Sequence, residues 1–164
     1  MRYVGIDPST KTGLVILNKK GDVLLNKEVK TAIETDPQRF INIALSITWE
    51  LKKDDIICIE GFSYGSKGRG VSTQYGIGWM IRAELVKHGY KYHDISPSAV
   101  KKFATGKGNM SKDGMVLPIY KHWGFESDSD NVRDAFVLAK IAQGLKGISP
   151  LTKYQSEVLD KIGG

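Results

Sequence analysis

The amino-acid sequence predicts an α/β fold in which a mixed five-stranded sheet is flanked by helices. Three observations support this prediction. Short apolar runs bounded by turn residues recur along the first hundred positions, longer segments with helical periodicity lie between and after them, and no linker or internal repeat divides the 164 residues. A hydrophobic content of 41% with 26% charged residues is that of an ordinary globular chain and excludes a disordered protein. We therefore expect one domain with a substantial core.

The first three strands are expected to form an antiparallel meander. Residues 2–6 are mostly apolar, "LVIL" follows the turn "DPSTKTG", and "VLLNKEV" alternates in polarity as a third strand does. Because tight turns join antiparallel neighbours, these three strands should lie side by side.

A helix and a fourth strand follow the meander. Asp36 is expected at the N-cap of the helix, with Pro37 at the first helical position. The apolar face of this helix carries Phe40, Ala44, Ile47 and Leu51. The run "IICIE" is apolar up to its last residue, as expected of a central strand covered on both faces. Its Cys58 is the only cysteine of the chain, which excludes an internal disulfide, favours a reducing compartment and predicts a core residue.

The segment from Ser72 to Gly89 predicts a second helix with two apolar faces. One face carries Tyr75, Trp79, Ala83 and Val86, and the nearly opposite face carries Ile77, Met80, Ile81 and Leu85. One face should pack on the sheet, so the other needs a second partner. That partner is either another helix of this chain or a second copy of the protein, and Gly76 and Gly78 would allow a close approach.

The remaining elements are a fifth strand and several helices. "YKYHDI" predicts the strand, and "SPSAVKKFAT" predicts a short helix with Ser96 as its N-cap. After the loop "GKGNMSK", a helix is expected from about Lys112 to His122. The segment "DSDNVRDAFVLAKIAQGL" predicts the last long helix, with Asp128 or Asp130 as its N-cap, and a short polar helix follows.

The positive charge of the chain is concentrated in one region. The formal net charge is +6; residues 61–121 hold ten Lys and Arg residues against three Asp and Glu, whereas the rest of the chain holds fourteen against fifteen. Such a region suits a polyanion such as nucleic acid, since each phosphate contact releases counterions. A basic surface that serves solubility alone would give the same pattern.

Carboxylates end two of the predicted strands and crowd the start of one helix. Asp7 and Glu60 each stand where an apolar strand gives way to turn residues, so both would lie at the rim of the sheet if those strands are neighbours. Asp128, Asp130 and Asp134 lie near the start of the last long helix, where Asp130 and Asp134 share a face. Asp134 stands among apolar positions, and a buried carboxylate without a partner is costly.

Carboxylates gathered at one point would repel one another unless a cation neutralised them. Oxygen ligands favour Mg²⁺ or Mn²⁺. Zinc is disfavoured because His88, His93 and His122 lack ligand spacing and only one thiol exists. Two ions about 4 Å apart could activate a water molecule and stabilise the leaving oxygen in phosphodiester hydrolysis. The sequence thus predicts metal-dependent hydrolysis in an acidic pocket beside a basic region.

Four blocks of the sequence, taken in order, resemble the Holliday junction resolvases of the RuvC type. They are "GIDPSTKTG", "IEGF", "SPSAVKKFATGKGNMSK" and "DNVRDAFVLA", and the match runs from Arg2 to about Ala142. The resemblance implies a ribonuclease H-like fold, with residues 1–145 as the nuclease domain and residues 146–164 as a C-terminal tail within the same single domain. It also implies a Mg²⁺-dependent endonuclease, a homodimer joined through helix 72–89 that nicks two strands of a four-way DNA junction.

The resemblance also implies roles for individual residues. Asp7, Glu60 and Asp134 would bind two metal ions, with Mg²⁺ replaceable by Mn²⁺, and Lys101 and Lys112 would reach the phosphates near the scissile bond. Lys112 is therefore expected to be a catalytic residue together with the acids. The whole expected DNA-binding set is Phe62, Tyr64, Lys67, Arg69, Lys101, Lys102, Lys107 and Lys112.

The chain departs from the family pattern at the end of the acidic set. The family's other C-terminal ligand falls on Asn131, three residues before Asp134. Asp130 is expected to take its place as a metal ligand, with Asp128 as the weaker alternative.

A second departure lies in the loop "GFSYGSKGRG". The family uses an aromatic side chain in this loop as a wedge at the junction centre, and here Phe62 and Tyr64 are both candidates. Lys67 and Arg69 would hold phosphates without reading sequence. We therefore expect looser selectivity that includes replication forks and other branched DNA, and the short, divergent chain resembles a phage-encoded version.

Two other classes of function stay open. A non-catalytic protein that binds branched DNA would explain the basic region but not the acidic rim. A sugar-kinase or actin-type nucleotide binder shares an Asp, Gly and Thr loop after its first strand, yet it needs two lobes, and the chain lacks P-loop spacing. No apolar run approaches the roughly 20 residues that span a bilayer, so the protein is expected in the cytoplasm, that of the host if it is phage-encoded.

Overall fold

The computed structural model describes residues 1–148 and 150–163 and contains the predicted mixed sheet. Its strands are β1 (Tyr3–Asp7), β2 (Thr12–Leu17), β3 (Val23–Val29), β4 (Ile56–Glu60) and β5 (His93–Ile95). They are arranged in the order β3-β2-β1-β4-β5. The first three strands form the predicted antiparallel meander, whereas β4 is parallel to both β1 and β5. The parallel pair β1 and β4 therefore ends at one common edge of the sheet.

Helices cover both faces of this sheet. They are α1 (Gln38–Glu50), α2 (Val71–Lys87), α3 (Pro97–Thr105), α4 (Val116–Trp123), α5 (Asp130–Gly144) and α6 (Lys153–Gly163). The helix expected from about Lys112 begins instead with a short 3-10 turn over Asp113–Met115 and then continues as α4. Among the ranges 1–148 and 150–163, no helix combines the length and apolar character that a membrane crossing needs.

Two hydrophobic cores lie on opposite faces of the sheet. One core joins the sheet to α1 and α2 through residues such as Ile6, Ile43 and Ile81. The other joins it to α3, α4, α5 and α6, and the buried Cys58 belongs to it, as predicted. Val158 of α6 lies in that second core, so the C-terminal segment packs with the rest of the chain.

Helix α5 lies unusually close to the sheet because two glycines face it. A Cβ atom at Gly5 of β1 would overlap the backbone carbonyl of Ala135, and one at Gly13 of β2 would overlap that of Asn131. Both obstacles are helix backbone, which cannot move aside as a flexible side chain can. The N-terminal half of α5 is thereby held directly against the ends of β1 and β2.

The helix caps differ in part from the predictions. Ser96 caps α3 through its hydroxyl, which accepts from the amide of Ala99, as predicted. For α5, however, the prediction of Asp128 or Asp130 was wrong, since the Ser129 hydroxyl accepts from the amide of Val132. Asp130 is thus left in the first turn, where the helix dipole favours a negative charge.

Two further predictions were wrong in detail. Asp36 does not cap α1: Pro37 occupies the N-cap position, and both carboxylate oxygens of Asp36 accept instead from Arg39. The fifth strand is limited to His93–Ile95. The start of "YKYHDI" instead closes the C-terminal end of α2, where the Tyr90 amide donates to the carbonyl of Leu85.

Candidate active site

The fold brings the carboxyl groups of Asp7, Glu60 and Asp134 together. One carboxylate oxygen of each lies within 4.8 Å of the other two. Strand alternation explains the first pair: in the parallel register Gly5 lies opposite Cys58, so two residues further on Asp7 and Glu60 are adjacent and face α5. Asp134 joins them because the next residue of α5, Ala135, lies directly on Gly5. The convergence expected from the sequence is therefore present.

Burial and mutual repulsion raise the pKa values of these three acids. Removal from water, followed by the nearby charge of Asp134, raises the pKa of Glu60 to about 8. Burial likewise raises the pKa of Asp134 to about 6. Burial also raises the pKa of Asp7 well above its ordinary value, with further contributions from Glu60 and Asp134. Negative charge on all three carboxyl groups at once is therefore disfavoured unless positive charge lies beside them.

The chemistry of the three side chains fits a hard divalent cation. Each offers a carboxylate oxygen, the ligand type that Mg²⁺ and Mn²⁺ take. A cation would also relieve the repulsion that raises their pKa values. Asp7, Glu60 and Asp134 open into a cavity of about 460 Å³, so a cation held there would be accessible to a substrate.

Asp130 lies outside this group of three. Its carboxylate accepts from Lys112 Nζ at 2.6 Å, and 40% of its side-chain surface is exposed. This hydrogen bond lowers the pKa of Asp130 and raises the pKa of Lys112. Asp128, the alternative, is exposed and precedes the Ser129 cap. Asp130 as a fourth metal ligand stays a prediction.

Asn131 lines the same cavity as the three acids. Its side-chain amide donates to the hydroxyl of Ser9 and to the carbonyl of Lys11. Asn131 thus ties α5 to the turn between β1 and β2.

Only some of the predicted basic residues line the cavity. Lys67, Lys101 and Lys112 do so and surround the acids with positive charge. Lys102 is turned away, because its ammonium pairs with Glu157 of α6 at 2.8 Å. Lys107 and Arg69 are exposed and lie outside the cavity lining.

The two aromatic candidates of the loop after β4 are in different environments. Phe62 stacks on Tyr75 and tilts against Trp79, both of α2, with ring centroids 5.0 Å apart in each case. Tyr64 is 79% exposed. Phe62 therefore belongs to a packed aromatic cluster, whereas Tyr64 presents its ring to solvent.

Two residues near the site were not predicted from the sequence. Gln74 of α2 donates to the carbonyl of Pro8, which holds the turn after β1. Arg82 of α2 is buried and donates to the backbone carbonyl of Glu60. A signal for Arg82 exists: it stands beside Ile81 and three positions before Leu85, both on the inward face of the helix. A charged residue at such a position needs buried partners.

Comparisons with known proteins bear on the fold. No protein-family model matches the chain, and no curated protein matches it. Among solved structures, Thermus thermophilus RuvC is 17% identical, with 93% of this chain and 100% of that chain covered and a TM-score of 0.64. T. thermophilus RuvC in complex with Holliday junction substrate is 20% identical, covers 93% and 99% of the two chains, and also has a TM-score of 0.64. The fold is therefore the ribonuclease H-like fold of RuvC, as the sequence predicted.

Proposed function

We propose that this protein is a metal-dependent endonuclease that resolves four-way DNA junctions. The observation that carries the proposal is the meeting of Asp7, Glu60 and Asp134 in one cavity that Lys101 and Lys112 also line. Acidic and basic groups at one opening suit a polyanionic substrate whose phosphodiester must be both held and hydrolysed. The likeness to a RuvC whose structure contains a Holliday junction substrate supports the same conclusion.

The three carboxylates would hold the metal, Mg²⁺ or in its place Mn²⁺, with two ions in each site. When bound, such ions supply activation of water and charge stabilisation for the leaving oxygen. The residues of the chain position the substrate. Lys112 has three N–H donors, so its bond to Asp130 leaves two for a phosphate oxygen. Lys101 lines the same cavity and would contact a neighbouring oxygen of the backbone.

Exposed basic residues of the loops, of which Lys67 also lines the cavity, would hold the DNA backbone. Lys67, Arg69 and Lys107 stand on loops and would contact the phosphate backbone without reading bases. Tyr64 offers an exposed ring on which an unpaired base can stack. Contacts of these kinds follow the shape and charge of DNA, so forks and other branches are substrates as well as four-way junctions.

A homodimer would give the paired nicks that junction resolution needs. The inward face of α2 packs in the core, and Gly76 and Gly78 are used there, next to the rings of Phe40 and Phe62. The outward face remains apolar and accessible, with Trp79 58% and Val86 63% exposed. A second copy that packs on this face would place two active sites in a two-fold arrangement on one junction. The cytoplasmic location and the phage origin expected from the sequence belong to the same proposal.

Cleavage of synthetic DNA tests the function. We expect the protein to cut a four-way junction and a fork only when Mg²⁺ or Mn²⁺ is present. A linear duplex should stay intact with or without the metal. Asp7→Asn should keep junction binding and lose cutting, because it removes a carboxylate ligand and leaves the basic residues in place. Asp160→Asn, an equal charge change at an exposed position of α6, is the control and should cut as the wild type does. A protein that only binds branched DNA would give no metal-dependent products, and Asp7→Asn would leave its junction binding unchanged or slightly stronger.

A further inference from the structure

Arg82 of α2 is a buried cation directly behind the candidate metal site. Its side chain is 3% exposed. Its guanidinium donates to three acceptors on three different elements: the Asp94 carboxylate of β5 at 2.7 Å, the Glu60 carbonyl of β4 at 2.9 Å and the Gly78 carbonyl of α2 at 3.0 Å. One side chain therefore joins the ends of two strands to a helix.

An aromatic ring covers the guanidinium from the loop side. The centre of the Arg82 guanidinium lies 4.4 Å from the ring centroid of Phe62, within the range of a cation–π contact. Gly78 makes this possible, because a Cβ atom there would overlap the Phe62 ring. Glu60 is thus held by the pairing of β4 with its neighbouring strands and by the hydrogen bond from Arg82. Phe62, two residues further on, packs against the same guanidinium.

We propose that Arg82 is a positioning residue for the metal site, which holds the end of β4 so that the Glu60 carboxylate stays within reach of Asp7 and Asp134. The inference rests on the proposed function, since it concerns the same three ligands. The hydrogen bond from Arg82 goes to the Glu60 backbone carbonyl, so its effect on the metal would pass through the position of the strand end. Partners behind a ligand are known to control metal affinity in this way.

The planar fork of arginine is needed for this arrangement. Three acceptors in separate directions match the fixed donors of a guanidinium, whereas a lysine ammonium is a compact charge on a flexible stem. Arg82→Lys would keep the positive charge and lose the simultaneous bonds to Asp94, Gly78 and Glu60.

A second arginine of the chain provides a matched control. Arg2 donates to both carboxylate oxygens of Asp55 and to the carbonyl of Glu50. It lies at the opposite end of β1 and β4, since its own carbonyl accepts from Ile56, the first residue of β4. Arg2→Lys therefore damages a similar network on the same strands but far from the acids.

The test measures metal binding as well as cutting. Wild type, Arg82→Lys and Arg2→Lys are titrated with Mn²⁺ and followed by the rise of the thermal unfolding midpoint, and junction cutting is titrated with Mg²⁺. We expect Arg82→Lys to raise the half-saturating metal concentration about tenfold or more in both titrations. Arg2→Lys should lower the unfolding midpoint in metal-free buffer by a comparable amount and leave the half-saturating concentration within about twofold of the wild type.

A second variant keeps the test decisive if Arg82→Lys does not fold. Asp94→Asn keeps the arginine and the shape of the network but weakens its charged partner, so it should shift the metal titrations in the same direction by a smaller factor. Unchanged half-saturation in Asp94→Asn, or a shift in Arg82→Lys no larger than that of Arg2→Lys, would overturn the inference alone. A wild-type protein that neither responds to Mn²⁺ nor cuts a junction would overturn the proposed function and the inference with it.

Discussion

Lys112 Nζ and Asp130 Oδ2 are 2.6 Å apart, while Asp134, one turn further along α5, turns into the group formed with Asp7 and Glu60. Two acids on one face of one helix thus have different partners. One neutralises the lysine that we propose to hold a phosphate, and the other belongs to the cluster of three acids. The ion pair keeps Lys112 beside the acidic site.

The different partners predict unequal effects of substitution at the two acids. Asp134→Asn should lower junction cutting at saturating Mg²⁺ by about a hundredfold or more, because loss of even a partner behind a ligand costs roughly 10- to 100-fold. If Asp130 acts only through its ion pair with Lys112, Asp130→Asn should lower it by less than about tenfold, since an exposed ion pair contributes little. Single-turnover rates on a four-way junction measure both. A loss in Asp130→Asn equal to that in Asp134→Asn would show that Asp130 is a metal ligand.

The raised pKa values predict that the metal-free protein loses stability as pH rises. The folded protein keeps protons that the unfolded chain has released between the ordinary pKa of a carboxyl group and the value of about 8 at Glu60. This loss therefore develops from about pH 4 to about pH 8. In EDTA at the upper end of this range, Glu60→Gln should unfold roughly 4 °C or more above the wild type. Asp160→Asn is again the control, and a Glu60→Gln midpoint at or below the wild-type value would contradict the burial of this charge.

The loop cations predict a change in the salt dependence of DNA binding. Lys67→Ala and Arg69→Ala should each weaken junction binding and reduce the slope of log affinity against log salt concentration by about 1, whatever the junction sequence. Fluorescence anisotropy at several salt concentrations measures this slope. Lys19→Ala, in the exposed turn after β2 at the far end of the sheet, should leave the slope unchanged. Equal slopes for the loop variants and the control would remove this loop from the DNA-binding surface.

The outward face of α2 predicts the oligomeric state. Val86→Glu should convert a dimer to a monomer in analytical ultracentrifugation, because it places a charge in an apolar interface. Leu117→Glu is a fair control, since Leu117 on α4 is 57% exposed and similarly apolar. The monomeric variant should release singly nicked junctions in place of paired cuts. A wild type that sediments as a monomer, or a Val86→Glu dimer, would refute the proposed interface.

The unequal surroundings of Phe62 and Tyr64 predict separate losses. Phe62→Ala should destabilise the protein by roughly 1–3 kcal/mol, since the ring is packed but only half-buried. Tyr64→Ala should change stability by less than about 0.5 kcal/mol and weaken junction binding by roughly 1–3 kcal/mol if one base stacks on the ring. Chemical denaturation and anisotropy separate the two effects. If Phe62→Ala weakened junction binding and Tyr64→Ala lowered stability instead, Phe62 would be the side chain that contacts DNA.

Patterns of neighbouring residues were enough to predict that Asp7 and Glu60 lie at strand ends. A carboxylate as the last residue of an apolar strand is visible in the sequence, and both Asp7 and Glu60 stand in that position. Their adjacency depends on the parallel pairing of β1 with β4, which are separated by a meander and a helix. No local periodicity specifies that pairing, and only the resemblance to a known family indicated it.

The caps and Arg82 show where local patterns were insufficient. Asp130 is as good an N-cap residue as Ser129, but a nearby lysine binds its carboxylate and the serine hydroxyl takes the cap. The pattern of α2 places Arg82 on its inward face but does not identify its partners, Glu60 and Asp94, which lie on strands 22 and 12 positions away. Interactions set by tertiary packing cannot be recognised from neighbouring residues alone.

Gly5 and Gly13 have no side chain, so the backbone of α5 can lie directly on the sheet at these two positions. Any methyl group added at Gly5 would push α5 outward and carry Asp134 away from Asp7, so the gap between the acids would widen while every strand stayed paired. The spacing of the acids is therefore set at two positions that bear no functional group at all.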